Sequence, residues 1–166
     1  DLPDHQIEYI GVGKINAVLN TLNAIEKHSP LEIINFGTAG SLDSEIKGLI
    51  EVSTFLQRDM DASPLGFQLG QTPFEENIEI SFGREGFTCG TGDKFVTRVP
   101  GLKTDIVDME AYALAKICQQ KAVEFYCFKF ISDYANSDAA DDWIQKLALG
   151  ARLFSEEVLA NHRNIG

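Results

Sequence analysis

Two hydrophobic periods alternate along this chain, and their alternation predicts strands interleaved with helices. Gln6 to Ile10 is a short strand-like run that ends in Gly11-Val12-Gly13-Lys14. Ile15, Val18, Leu19, Leu22 and Ile25 follow at helical spacing, up to Lys27, and Ser29-Pro30 ends that helix. Leu31 to Phe36 reads as a strand running into a turn, Gly37-Thr38-Ala39-Gly40, and Leu49 to Leu56 as another strand. Asp59 to Glu76, punctuated by Pro64, Gly66, Gly70 and Pro73, predicts a long loop. Phe87 to Gly90 looks like a strand end, Thr104 to Val107 a short buried strand, Glu110 to Lys121 a helix and Glu124 to Ile131 an apolar strand. A last helix, Asp141 to Leu159, places Trp143, Leu147, Ala151, Phe154 and Val158 on one face. The expected fold is α/β, a single domain over residues 1–166 with helices on the faces of a sheet.

Two carboxylates occupy informative places in that pattern. Glu110 in VDMEAYALAKIC and Asp133 in FKFISDYAN each follow an apolar strand, where a side chain stands over a pocket. A carboxylate that accepts two hydroxyls suits a sugar, and one that holds or shares a proton suits a heterocyclic leaving group. Each acid also has a purely structural reading, Glu110 as a helix cap and Asp133 as a turn cap. Asp105, Asp138, Asp141 and Asp142 read as solvated surface charge.

Composition narrows the chemistry. A net charge of −11 argues against nucleic acid or an anionic membrane surface as partner. No apolar stretch approaches a transmembrane span and no signal peptide opens the chain, so a cytoplasmic location is expected. Cys89, Cys118 and Cys127 are odd in number and lack metal-ligand spacing, which predicts reduced, mostly buried thiols. His5, His28 and His162 are scattered, so neither a Ser–His–Asp triad nor a metal site is expected, and no cofactor.

The remaining motifs are less specific. Gly11 to Lys14 lacks the spacing of a phosphate loop and also fits a tight packing turn. INFGTAGSLD, Ile34 to Asp43, offers small side chains, backbone N–H groups and the Thr38 hydroxyl to a planar ligand, or is simply a strand turn. Phe95, after Thr91-Gly92-Asp93, suits stacking on a heterocycle or a place in the core, and Met109 has the same two readings.

Taken in order, GVGK, INFGTAGSLD, RDMDASPLGF, TGDKF, VDMEAYALAKIC and FKFISDYAN resemble the nucleoside phosphorylase/nucleosidase superfamily. Within it the chain is most similar to the 5′-methylthioadenosine/S-adenosylhomocysteine nucleosidases, from about Glu8 to the last helix. The resemblance implies a mixed central sheet and hydrolysis of adenine nucleosides carrying a 5′-thio group. Glu110 would then accept from the ribose hydroxyls, with Met109 against the sugar and Thr38 beside it. Ala39 and Gly40 would line the purine side. Phe95 would stack on the base and the Val96 backbone would meet its edge. Asp133, supported by Ser132, would hold or share the proton delivered to purine N7. The resemblance also implies a homodimer, with Leu65 or Phe67 of the loop Asp61 to Gly70 reaching the partner's pocket.

The family pattern has an opening strand and a glutamate-bearing turn, whose acid activates water, ahead of the first segment here. An N-terminally incomplete chain is therefore expected, with a reduced member of impaired catalysis as the alternative; Asp4 and Glu8 are poorly placed substitutes. Superfamily phosphorylases carry an arginine where Asn35 stands, which favours water as nucleophile, although Arg58 offers a compensating cation. The competing functions are a purine nucleoside phosphorylase and a non-catalytic nucleoside-binding protein. Uridine phosphorylase fits poorly, because Asp133 has no purine N7 to serve there.

Overall fold

A computed structural model describes residues 5–98, 100–134 and 148–160. The elements are α1 (Lys14–His28), β1 (Glu32–Ser41), β2 (Leu49–Gln57), β3 (Glu79–Ser81), β4 (Phe87–Thr91), β5 (Ile106–Asp108), α2 (Ala111–Lys121) and β6 (Glu124–Asp133). A helical stretch at 148–160, here α3, winds as a π-helix over Phe154–Leu159. Asp4, Asp138, Asp141, Asp142, Trp143, Leu147 and His162 lie outside the described residues.

The sheet is mixed and runs β3-β2-β4-β5-β1-β6. It does not stay open, because β2, parallel to β4 from Val52 onward, also pairs antiparallel with β6 through Leu49 to Val52. The last strand, β6, therefore closes back onto β2. Arg84 staples that seam: its guanidinium bonds Glu124 on β6 at 2.6 Å, lies 3.5 Å from Glu51 on β2 and covers the Tyr126 ring at 4.2 Å.

Strand alternation sorts side chains onto two faces. Ile33 of β1 and Phe125, Cys127 and Ile131 of β6 face the main core with α1 and α2, whereas Ile34, Phe36 and Phe128 face α3. Phe36 and Phe154 stack with centroids 4.5 Å apart. The π turn brings Phe154, Val158 and Leu159 to that contact. Ala151, expected on the same face, is exposed.

Three local expectations change. Gln6 to Ile10 forms no strand; it has no sheet partner and leaves Ile7 and Tyr9 in solvent. Gly37 to Gly40 is not a turn but the second half of β1, paired with β6 across a register shift at Ala39/Gly40. Helix α1 buries its small residues, Ala17 and Thr21, and turns Ile15 and Leu19 outward.

Candidate active site

The register shift puts Ser132 opposite no residue of β1, since Ala39 pairs with Ile131 and Gly40 with Asp133. Such a bulge re-aims the side chain that follows it. Ser132 and Asp133 are both buried, and the Ser132 hydroxyl donates to Asp133 Oδ2 at 2.8 Å, with the Ala39 carbonyl 3.5 Å away. A cavity of about 220 Å³ opens beside Asp133, walled by Lys47, Phe130, Ile131, Tyr134 and Leu149. Another, of about 300 Å³, lies between β3 and α2; Glu75, Glu76 and Glu79 line it, and none of the expected site residues does.

Beyond Gly40 lies β5, with Gly40 opposite Val107. Its last residue, Asp108, caps α2 by accepting from the Ala111 N–H at 2.8 Å. Glu110 stands at the N-cap position but makes no side-chain cap bond. The capping reading of Glu110 therefore fails, because its neighbour already does that work. Glu110 Oε1 instead accepts from the Gly13 N–H at 2.8 Å. Burial, followed by the negative charge of Asp108, raises its pKa above the usual glutamate value. Met109 is half-buried beside it.

Strand β4 delivers the fourth segment. Thr91 pairs with Asp108, and the Gly92 N–H donates to the Asp108 carbonyl at 3.1 Å, so the loop to Phe95 and Val96 starts against the Glu110 strand. Phe95 is 48 % exposed, which removes the core-aromatic reading, while Val96 is half-buried. Thr38 is half-buried within β1 opposite Phe130, Met109 is half-buried just past β5, and Ala39 and Gly40 are buried. Pairing sets Gly40 between Val107 of β5 and Asp133 of β6, with Thr38 and Ala39 just before it on β1; Met109 and Glu110 follow β5, and the Gly92–Asp108 bond starts the Phe95–Val96 loop beside them. Leu65 and Phe67 stand apart on the long loop: Leu65 is exposed, Phe67 meets 96 %-exposed Phe74 edge-on at 5.8 Å, and no described contact joins them to the site.

A buried ion pair under the site escaped the sequence reading. Lys129 Nζ meets Asp108 Oδ2 at 2.9 Å, and both side chains are essentially inaccessible. The lysine shares the inward face of β6 with Phe125 and Cys127, and its side chain crosses β1 over Gly37, where a Cβ would sit 3.2 Å from Nζ. Burial alone would discharge Lys129, but the carboxylate outweighs it and raises the lysine pKa. Burial likewise opposes the Asp108 charge, yet Lys129, the Thr91 hydroxyl at 2.6 Å and the Ala111 N–H hold its pKa low. The available signal was a lone lysine inside an apolar strand.

Lys14 and Arg58, the cations the sequence offers for an anion, are engaged elsewhere, and the side chain at the arginine position is neutral. Asn35 is buried and accepts from Cys127 Sγ at 3.4 Å. Lys14 Nζ pairs with Asp59 at 2.6 Å. The Arg58 guanidinium donates to the carbonyls of Gly90, Gly92 and Lys94, so it does not stand in for the missing arginine. Glu8 accepts from Lys27 and His28 at the far end of α1, a helix about 22 Å long, and so is remote from Glu110 and Gly13. Asp105, expected in solvent, accepts from the Thr88 N–H and hydroxyl at 2.8 and 2.7 Å. All three thiols are buried and free, and burial pushes Cys118 and Cys127 up to about 12.

No family model matches the chain. It is 32 % identical to a 5′-methylthioadenosine/S-adenosylhomocysteine nucleosidase of Shewanella piezotolerans, over 86 % of this chain and 75 % of that one. A Francisella philomiragia chain proposed to have the same activity superposes with a TM-score of 0.86 at 22 % identity, over 95 % of this chain and 79 % of that one. An aspartate-to-asparagine variant of the Helicobacter pylori nucleosidase, with 5′-methylthioadenosine in its active site, superposes at 0.79 with 25 % identity, covering 86 % and 73 %.

Proposed function

This chain belongs to the 5′-methylthioadenosine/S-adenosylhomocysteine nucleosidase family of the nucleoside phosphorylase superfamily, and on that footing we propose that it hydrolyses 5′-thio-substituted adenine nucleosides to adenine and the free thiosugar. The observation that carries the reading is that two acids have partners which leave them free of capping: Asp133 on a bulge with Ser132, and Glu110 relieved of capping by Asp108. In the reaction the C1′–N9 bond breaks and its electron pair leaves with the base, while water forms the new C1′–O bond and releases a proton that replaces the one Asp133 delivers. Asp133 gives a proton to N7, which neutralises the departing purine. Glu110 accepts from the ribose hydroxyls, and its charge favours the oxocarbenium character of the sugar. Phe95, exposed at the loop, stacks on the base, and on this reading Thr38, Ala39 and Gly40 of β1 meet the ribose and purine.

Water as the nucleophile is supported by the state of the cations: among the described residues that wall the Asp133 cavity only Lys47 is cationic, an ammonium without the guanidinium fork, and the other candidates are engaged. Lys14 is neutralised, Arg58 is spent on backbone carbonyls, and Asn35 carries no charge. A phosphate dianion would lack the guanidinium fork that usually holds it. Glu8 does not act as the water-activating acid, since it is tied to the end of α1. The test is adenine release from 5′-methylthioadenosine by the full-length protein, with and without phosphate. Equal rates are expected; release that needs phosphate would make it a phosphorylase, and nucleoside binding without release would make it a binding protein.

The reading includes a homodimer. Ile15 and Leu19 of α1 and Leu65 and Phe74 of the long loop are large apolar side chains in solvent that a second protomer would cover. Sedimentation equilibrium of the full-length protein should return twice the chain mass, and a single-chain mass at micromolar concentration would remove this part.

A further inference from the structure

Resting on that adenine-nucleoside reading, we propose that Arg58 and Asp59, with Lys14 and Asp93, form a clamp that sets the position of Phe95 and ties it to the ribose carboxylate Glu110. Phe95 is about half exposed, so packing does not fix its ring; the backbone beneath it must. That backbone is held from β2. The Arg58 N–H donates to the Thr91 carbonyl at 2.9 Å, and its guanidinium donates to Gly90 at 3.1 Å, to Gly92 at 2.9 Å and to Lys94, the residue just before Phe95. Asp59 completes the grip by accepting from the Asp93 N–H at 2.9 Å.

The same two aspartates reach across to α1. Lys14 Nζ donates to Asp59 at 2.6 Å and the Lys14 N–H donates to Asp93 at 2.7 Å, while the adjacent Gly13 N–H donates to Glu110. An unbroken set of contacts therefore runs from the base-stacking loop, through the start of α1, to the sugar-binding acid. Two glycines leave room for it. Gly13 has φ +87°, and a Cβ there would lie 3.1 Å from Asp93 Oδ1. A Cβ on Gly92 would lie 2.9 Å from Asp59 Cγ and 3.0 Å from Arg58 Cζ. Arg58 and Asp59 are thus positioning residues: they touch no reacting atom, and they limit the freedom the loop would lose on binding the base.

A double-mutant cycle on adenine affinity, measured by calorimetry with the full-length protein, tests the clamp. Phe95→Ala and Asp59→Ala should each weaken adenine binding about tenfold, the scale of one lost base–aromatic stack. In the Phe95→Ala background Asp59→Ala should add less than about twofold, because both changes remove the same contact. Lys14→Met, which unlocks the clamp from the other side, should repeat the pattern if Asp59→Ala folds poorly. Asp59→Asn, which keeps an acceptor for the Asp93 N–H, should recover part of the loss. Independent, additive losses for Asp59 and Phe95 would overturn the clamp, as would unchanged adenine affinity in both Asp59→Ala and Lys14→Met. A wild-type protein that binds no adenine would overturn the substrate reading and the clamp together, an outcome the cycle separates from failure of the clamp alone.

Discussion

Asp133→Asn is expected to slow adenine release about 10²–10⁴-fold, the usual contribution of a positioned general acid. The substitution keeps the size and one acceptor of the side chain, so the hydrogen bond from Ser132 Oγ, now 2.8 Å, has a partner in the variant. What it removes is the proton delivered to N7. Because that transfer belongs to the transition state, kcat and kcat/KM should fall together while nucleoside affinity is nearly kept. Steady-state kinetics with 5′-methylthioadenosine, paired with calorimetric binding of the same nucleoside, makes the comparison. A rise in KM at unchanged kcat would place Asp133 in ground-state binding and remove its catalytic role.

Asp108→Asn is expected to destabilise the protein by about 3–5 kcal/mol, the cost of leaving one partner of a buried pair alone. Asparagine has one acceptor oxygen where the carboxylate uses two, so the change removes the charge opposite Lys129 together with either the α2 cap at Oδ2 or the acceptor for Thr91 at Oδ1. The lysine escapes by giving up its proton, which limits the cost at pH 7 to about 4.8 kcal/mol from its ordinary pKa of 10.5. The thermal midpoint should fall by roughly 6–20 °C for a domain of this size. Adding Lys129→Met should restore part of the loss, since it removes the unpaired buried charge while the bond that the amide cannot accept stays lost.

The pH dependence of that variant has a definite sign. In the wild type the raised Lys129 contributes stability below its ordinary 10.5, lost only as pH climbs through the folded value. The lowered Asp108 contributes above its ordinary 3.8, lost as pH falls through the folded value. Between those limits the pair gives a flat profile. In Asp108→Asn the unpaired lysine holds its proton less tightly folded than unfolded, so stability should rise with pH up to about 10.5. Denaturant titrations at several pH values check this; a variant as stable as the wild type at pH 7 would deny the pair its structural part.

Much of this was legible in the chain because the local signals and the tertiary structure agree. Glu110 and Asp133 announce themselves as acids ending apolar runs, and the strands that carry them, Ile106–Asp108 and Glu124–Asp133, fall close to where the pattern puts them. Gly37 to Gly40 misled because glycine-rich stretches usually mark turns. Here the lack of side chains instead lets Lys129 cross β1, a requirement set by a residue ninety-two positions away. The sheet closure between β2 and β6 and the bulge at Ser132 are likewise matters of register, which single-strand patterns do not encode. Helix α1 shows the opposite failure. Its apolar stripe is real, but small Ala17 and Thr21 face inward, leaving Ile15 and Leu19 outside. Asp105 and Arg58, read as surface charge and spare cation, are both committed to backbone and hydroxyl partners that only the fold brings near.

The identity of the sugar released in phosphate buffer tests the central claim most directly. Mass spectrometry of the product from 5′-methylthioadenosine and the full-length protein should show free 5-methylthioribose beside adenine, with no phosphate ester. A 5-methylthioribose 1-phosphate product would contradict the account, and would require an anion site that Lys14, Asn35 and Arg58 do not provide.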